Sequence, residues 1–250
     1  MKMIINNVEI KDNERLEDLN RKGYKLIQNP EEFCFGIDAV LLSAFAKGKR
    51  NETVLDLCTG SGVIPILMEA KTKASLFYGV EIQPDAAERA ARSVKLNGLE
   101  DKITIYEGDI KDLSKFFLPD SISVITCNPP YADPDSGLHN QSYKMAVAKH
   151  EILCTLEDVI RCAEMYLKPC GRFYMIHRPG RITDILCLMR QYGIEPKVLR
   201  FVQPYADKAP TMLLVEGKKG GHPGIKVPEP LVVYNKDKSY TEEILRLYNE

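Results

Sequence analysis

Residues 52–70 constrain the fold of this chain more than any other stretch. An apolar run, Glu52-Thr53-Val54-Leu55-Asp56-Leu57, breaks into Cys58-Thr59-Gly60-Ser61-Gly62, and a helical run follows from Val63 through Ala70. A buried strand, a glycine-rich turn and a helix form the opening unit of a nucleotide-binding α/β sheet. The pattern then repeats. A strand from Ser75 to Val80 ends in Glu81, a helix is expected over Pro84–Asn97, and the strand Ile103-Thr104-Ile105-Tyr106 leads to Gly108-Asp109-Ile110. Asp56, Glu81 and Asp109 therefore stand at three strand ends on one sheet edge, the edge where open α/β sheets bind ligands. Each acid alone reads equally as a helix-capping residue. Three beside one glycine turn read as a site.

The next strand, Ser123-Val124-Ile125-Thr126-Cys127, runs into Asn128-Pro129-Pro130-Tyr131. Two prolines hold φ near about −65° and donate no backbone hydrogen bond, and the residue before each is pushed into extended geometry. The result is a stiff loop presenting two acceptors, the Asn128 side-chain oxygen and the Pro129 carbonyl, with an aromatic face beyond. That pair suits a planar NH2 group, either the exocyclic amine of a base or a side-chain amide. Asn-Pro also opens ordinary turns, so the reading depends on the cofactor edge upstream.

A dinucleotide fingerprint requires a third glycine where this chain has Pro65, which disfavours a pyrophosphate. An acidic rim instead suits a sulfonium and an α-amino group. The stretch Val54–Gly62, with Glu81 for ribose and Asp109 for the adenine edge, resembles the class I methyltransferases that use S-adenosylmethionine. Asn128-Pro129-Pro130-Tyr131 is similar to the signature of the branch that methylates planar nitrogen. The resemblance implies a Rossmann-like, mostly parallel sheet with helices on both faces. It assigns catalysis to Asn128, Pro129, Pro130 and Tyr131. It assigns cofactor contacts to Phe35, Asp38, Asp56, Thr59, Gly60 and Gly62, and further to Glu81, Ile82, Asp109, Ile110 and Asn128.

The flanks narrow the resemblance. Leu26-Ile27-Gln28, Phe35-Gly36-Ile37-Asp38-Ala39-Val40-Leu41-Leu42, His177-Arg178-Pro179 and Pro230-Leu231-Val232-Val233-Tyr234 look like the bacterial tRNA (adenine-N6) methyltransferases that act beside the anticodon of a valine tRNA. One departure is Lys149, where arginine would be expected; a point charge there replaces a bidentate fork. Two other readings share the chemistry: methylation of a release-factor glutamine amide, and methylation of another RNA. Release-factor enzymes resemble the chain from Asp56 through Tyr131 but carry a helical domain before the glycine loop. Only about 50 residues precede it here, without a bundle-like pattern.

Charge separates along the chain. Residues 51–167 hold 18 Asp/Glu against 11 Lys/Arg, and residues 168–226 hold 11 Lys/Arg against 4 Asp/Glu. A basic C-terminal third beside an acidic cofactor half suits a polyanionic partner such as tRNA. Arg178, Lys208, Lys218 and Lys219 are the expected RNA contacts. The alternative is that separate faces solvate these charges independently.

The expected organisation is an N-terminal extension, 1–50, packing over the cofactor site, with Asp38 as the N-cap of a helix from Ala39. One catalytic domain, 51–250, follows and ends in an antiparallel hairpin; residues 132–150 have the length of a lid. Seven cysteines without a Cys-x-x-Cys pair read as reduced thiols of a cytoplasmic protein, and four histidines, none at ligand spacing, give no metal site. No apolar run has membrane-spanning length. The oligomeric state stays open between a monomer and a weak homodimer.

Overall fold

A computed structural model of the chain describes residues 3–32, 34–129 and 154–249. Pro130, Tyr131, the lid reading over 132–150, Lys149 and the helix start expected near Val147 lie outside the described residues.

Two antiparallel ribbons open the chain: β1 (Met3–Ile5) with β2 (Val8–Ile10), and β3 (Arg15–Asp18) with β4 (Lys25–Gln28). The first ribbon turns through Asn6 and Asn7 at φ 51° and 60°, the left-handed pair that a two-residue hairpin demands and that asparagine tolerates. Then come α1 (Ile37–Phe45), β5 (Thr53–Leu57), α2 (Val63–Lys71), β6 (Leu76–Glu81), α3 (Pro84–Leu96), β7 (Ile103–Glu107) and β8 (Ile122–Cys127). After the undescribed segment follow α4 (Leu156–Tyr166), β9 (Leu167–His177), α5 (Ile182–Gln191), β10 (Ile194–Gln203), β11 (Met212–Lys219), β12 (Leu231–Val232) and α6 (Glu242–Asn249).

Eight strands form the main sheet in the order β12-β10-β11-β9-β8-β5-β6-β7. β11 runs antiparallel to both neighbours, and the other pairs are parallel. The C-terminal ends of β5 to β10 and the N-terminal end of β11 therefore share one edge. Alternation with period two feeds two cores. Val54, Val124, Tyr174, Ile176 and Leu214 face α1 and α2, while Leu55, Ile125, Phe173, Met175 and Val215 face α4 and α5. α4 starts with a capping box: the Thr155 hydroxyl accepts from the Asp158 N–H, and the Asp158 carboxylate accepts from the Thr155 N–H.

The N-terminal ribbons pack on α3. The Ile27 N–H donates to Ser93 Oγ at 3.1 Å, Asn6 Nδ2 to the Leu96 carbonyl at 3.0 Å, and Arg92 Nη1 to the Glu9 carbonyl at 2.8 Å. Sequence reading missed both ribbons. The Asn6-Asn7 dipeptide was the available signal.

Candidate active site

The turn after β5 has left-handed backbone at Cys58, Gly60 and Gly62, with φ 57°, 55° and 79°. Gly62 is the N-cap of α2, and a Cβ there would come within 3.2 Å of the Ala90 Cβ on α3. A Cβ on Gly60 would meet nothing within 4 Å, so the turn leaves open space on the side a ligand would approach. Glu81, only 5 % exposed, spans this turn and the next: its carboxylate accepts from the Gly60 N–H and the Gln83 N–H, each at 2.9 Å.

Beside this turn Asn128 continues β8. Its Nδ2 donates to Asp38 Oδ2 at 2.9 Å, while its Oδ1 is buried and has no hydrogen-bond partner among the described residues. An orphaned buried acceptor is costly, and here it marks the place where a donor is expected. Asp38 is not the N-cap foreseen from sequence. The cap position is Gly36 without a side-chain bond, and Asp38 sits in the first turn of α1. Its carboxylate reaches Asn128 from the first turn of α1, the helix that packs against α2 and β9.

Asp56 is fully buried. Burial pushes its carboxyl up to about 7, against the Thr126 hydroxyl that donates to Oδ1 at 2.7 Å; the negative charge of Glu81 adds to the rise. Its Oδ2 has no hydrogen-bond partner among the described residues, although the Thr59 hydroxyl, like that of Thr126, also opposes the rise. Asp109 lies at the end of β7, 37 % exposed and 3.5 Å from the Lys111 ammonium. Ile82 is 41 % exposed, whereas Ile110 is 6 % exposed and turned into the core. Of the two isoleucines expected at a cofactor, only Ile82 offers its side chain at the edge. Phe35 is half-buried against the α1–α2 core. The Cys58 thiol is held up by contact with Cys127 and by burial, and the Cys127 thiol by burial first. Both stay protonated and uncharged, as packing residues rather than nucleophiles.

The family model described as the TRM5/TYW2 methyltransferase domain matches residues 43–127. A Porphyromonas gingivalis protein named tRNA1(Val) (adenine(37)-N6)-methyltransferase is 29 % identical over 85 % of this chain and 86 % of its own length. A protein of the same name from Parabacteroides distasonis is 26 % identical over 72 % and 75 %. Among solved structures, Atu636 of Agrobacterium tumefaciens, described as a predicted O-methyltransferase, superposes with TM-score 0.69 at 22 % identity, covering 85 % of this chain and 95 % of that one. Methanocaldococcus jannaschii TYW2, solved with AdoMet, gives TM-score 0.57 at 16 % identity over 83 % and 86 %.

The protein is an S-adenosylmethionine-dependent methyltransferase.

Within this methyltransferase the basic C-terminal third does not form one surface. Lys218 and Lys219 close β11 opposite Glu195 and Ile194, at the edge away from Asn128. The eight residues of β11 separate them from the active edge by about 25 Å, at ~3.3 Å per residue. Lys219 is engaged there by Asp120 at 2.8 Å and by Glu164. The two lysines expected to contact RNA therefore lie at the edge opposite Asn128, because an antiparallel strand carries its C-terminus away from the edge its parallel neighbours reach. Arg172, Arg181, Arg190 and Arg200 are paired with Glu52, Asp184, Glu195 and Glu243. Arg178 and Lys208 do lie at the active edge, one after β9 and the other in the loop between β10 and β11. No group of three or more metal-ligating side chains occurs among the described residues, and no helix among them is long and apolar enough to cross a membrane.

Proposed function

We propose that this enzyme transfers a methyl group from S-adenosylmethionine to the exocyclic N6 of an adenine in tRNA, the base beside the anticodon of a valine tRNA. The observation that carries the chemistry is Asn128: one end of its amide is held by Asp38, and the other is a buried acceptor without a partner. The substrate class rests on the relatives named for that reaction, aligned over most of both chains.

The residues present fit the cofactor. Gly60 leaves room for backbone approach, Glu81 stands beside it for the ribose, Ile82 offers an apolar face, and the orphaned Asp56 oxygen suits a cationic group. When bound, S-adenosylmethionine supplies an electrophilic methyl on a sulfonium.

The lone pair of an adenine N6 is delocalised into its ring and is a poor nucleophile. Asn128 Oδ1 and the Pro129 carbonyl each accept one N6–H, which returns electron density to nitrogen and favours tetrahedral geometry. Bound S-adenosylmethionine would supply the methyl group to the N6 lone pair, and its sulfur would keep the electron pair of the bond that breaks. The same two oxygens stabilise the positive charge that grows on N6, a preorganised electrostatic effect. The extra proton then leaves to solvent, so no strong base is required. Tyr131 is assigned to stack on the base and fix the angle of attack. An unpaired anticodon-loop base reaches such a pocket at low unstacking cost.

Labelled methyl transfer to tRNA lacking its own modification, in parallel with purified release factor, tests the reading. N6-methyladenosine recovered at one tRNA position is the expected product. Label on a release-factor glutamine would overturn the RNA assignment and keep the chemistry.

A further inference from the structure

The sheet edge divides at Asn128. β5, β6 and β7 on one side carry the acids of the cofactor half; β9, β11, β10 and β12 on the other carry a different set of groups. There four tyrosines lie ring against ring. Tyr205 and Tyr234 have centroids 5.7 Å apart, Tyr234 and Tyr240 are stacked at 5.3 Å and 14°, and Tyr240 and Tyr248 at 5.6 Å and 25°. Tyr234, Tyr240 and Tyr248 pack against the hydrophobic core, but Tyr205 is not part of that contact. It ends the row on the β10–β11 loop, where residues 206–209 are exposed.

The loop is braced. The Lys208 N–H donates to the Tyr205 carbonyl at 3.0 Å, Gln203 Nε2 donates to the Lys208 carbonyl at 2.9 Å, and the Tyr234 N–H donates to the Pro204 carbonyl at 2.9 Å. Arg178 Nη1 ties the end of β9 to the foot of the same loop through the Thr211 carbonyl at 3.1 Å. Lys208 on the Tyr205 loop, and Lys236 and Lys238 on the loop that follows Tyr234, have exposed side chains, as do Asp207 and Asp237. Asp237 is already turned onto Ser239.

We infer that Tyr205, backed by Tyr234 and flanked by Lys208, is a stacking platform for an unpaired nucleotide about four positions along the strand from the methylated base. A ring fixed from behind presents one face at little entropic cost, and every base has a π-face to lay on it. Lys208 supplies the charge that a neighbouring phosphate needs. Position agrees: β10 lies three strand spacings from β8, about 14 Å, a distance that roughly four stacked nucleotides cover. The inference rests on the tRNA reading above and adds the surface that holds the strand beside the target.

The test is steady-state methyl transfer to unmodified tRNA by wild type, Tyr205→Ala, Tyr205→Leu, Tyr205→Trp and Lys208→Ala, with S-adenosylmethionine binding measured by calorimetry. Tyr205→Ala and Tyr205→Leu are expected to raise the KM for tRNA roughly five- to a hundredfold, the range for one lost base–aromatic stack. The kcat at saturating tRNA and the cofactor Kd should stay within about threefold, and Tyr205→Trp should restore KM. The leucine variant keeps an apolar group against Tyr234 if alanine loosens the loop. An unchanged KM in both, or failure of tryptophan to rescue, would overturn the platform. A wild type that methylates no tRNA but labels release factor overturns the underlying reading instead, so the two failures are distinct.

Discussion

Asn128 and Asp38 divide one task between them. If the carboxylate of Asp38 holds the amide so that Oδ1 faces the substrate, the two residues fail differently when changed. Asn128→Ala should abolish turnover and leave S-adenosylmethionine binding intact; calorimetry beside a methyl-transfer assay would show this, and a near-normal rate would refute the mechanism. Asp38→Ala should lower kcat about ten- to hundredfold, the scale of a misplaced catalytic group, with KM for the cofactor little changed. A rise in that KM at constant kcat would mean that Asp38 binds cofactor directly. Asp56 adds a pH dependence. Its folded carboxyl, up at about 7 from 3.8, binds its proton more tightly than the unfolded chain does. Its contribution therefore favours folding at acid pH, declines as pH rises from about 4, and is gone above about 7. The slope has a ceiling of about 1.4 kcal/mol per pH unit. Asp56→Asn should consequently gain on wild type in chemical denaturation as pH is raised from 5 to 8. A constant gap would show that Asp56 does not titrate in that window.

At the scale of single elements, the turn into α2 and strand β11 make opposite points. Gly62 needs φ 79° and sits one methyl contact from Ala90. Gly62→Ala should cost about 1–2 kcal/mol from backbone strain, plus whatever α3 must shift, read as a lower urea midpoint. β11 places Lys218 and Lys219 at the wrong edge for the reacting base. Lys218→Ala with Lys219→Ala should leave the KM for tRNA unchanged, and the partly exposed ion pairs that Lys219 loses are worth about 1 kcal/mol or less each. A large rise in KM would instead mean that the RNA wraps onto the far edge. The parallel strands showed their ends in sequence, because a fully buried strand reads as an apolar run closed by a polar residue. β9 and β10 proved longer than their apolar centres: Glu195 pairs with Lys218, and Pro169 and Cys170 fill an irregular stretch of β9 between the paired residues Leu167 and Arg172.

For the whole molecule, the cofactor half and the N-terminal ribbons are joined by buried charge. Arg92 on α3 meets Glu14 at 2.5 Å, with 14 % and 4 % of the two side chains exposed, and it also holds Glu88. The contacts described for residues 3–28 lead mainly to α3, and the described contact of the extension with the active edge is Asp38 on Asn128. Arg92→Met would strand the Glu14 carboxylate, at a cost of about 3–5 kcal/mol. Hydrogen exchange should then show β1 to β4 opening ahead of the main sheet. Uniform protection across both would indicate that the apolar contacts of Val8, Ile10 and Ile27 suffice alone.

Sequence alone determined the alternation of strand and helix, the glycine turn, and the placing of Asp56, Glu81, Asp109 and Asn128 along one sheet edge. All of these are local, and they are written in periodicity, in proline and glycine stereochemistry, and in residue type. The tertiary structure decided which distant groups share a side. It put Asp38 on Asn128, 90 positions away, turned Ile110 inward, sent Lys218 and Lys219 to the far edge, and gathered Tyr205, Tyr234, Tyr240 and Tyr248 into one row. Strand order and direction settle such neighbours, and they follow from how the whole sheet buries both faces at once, which no window of residues contains.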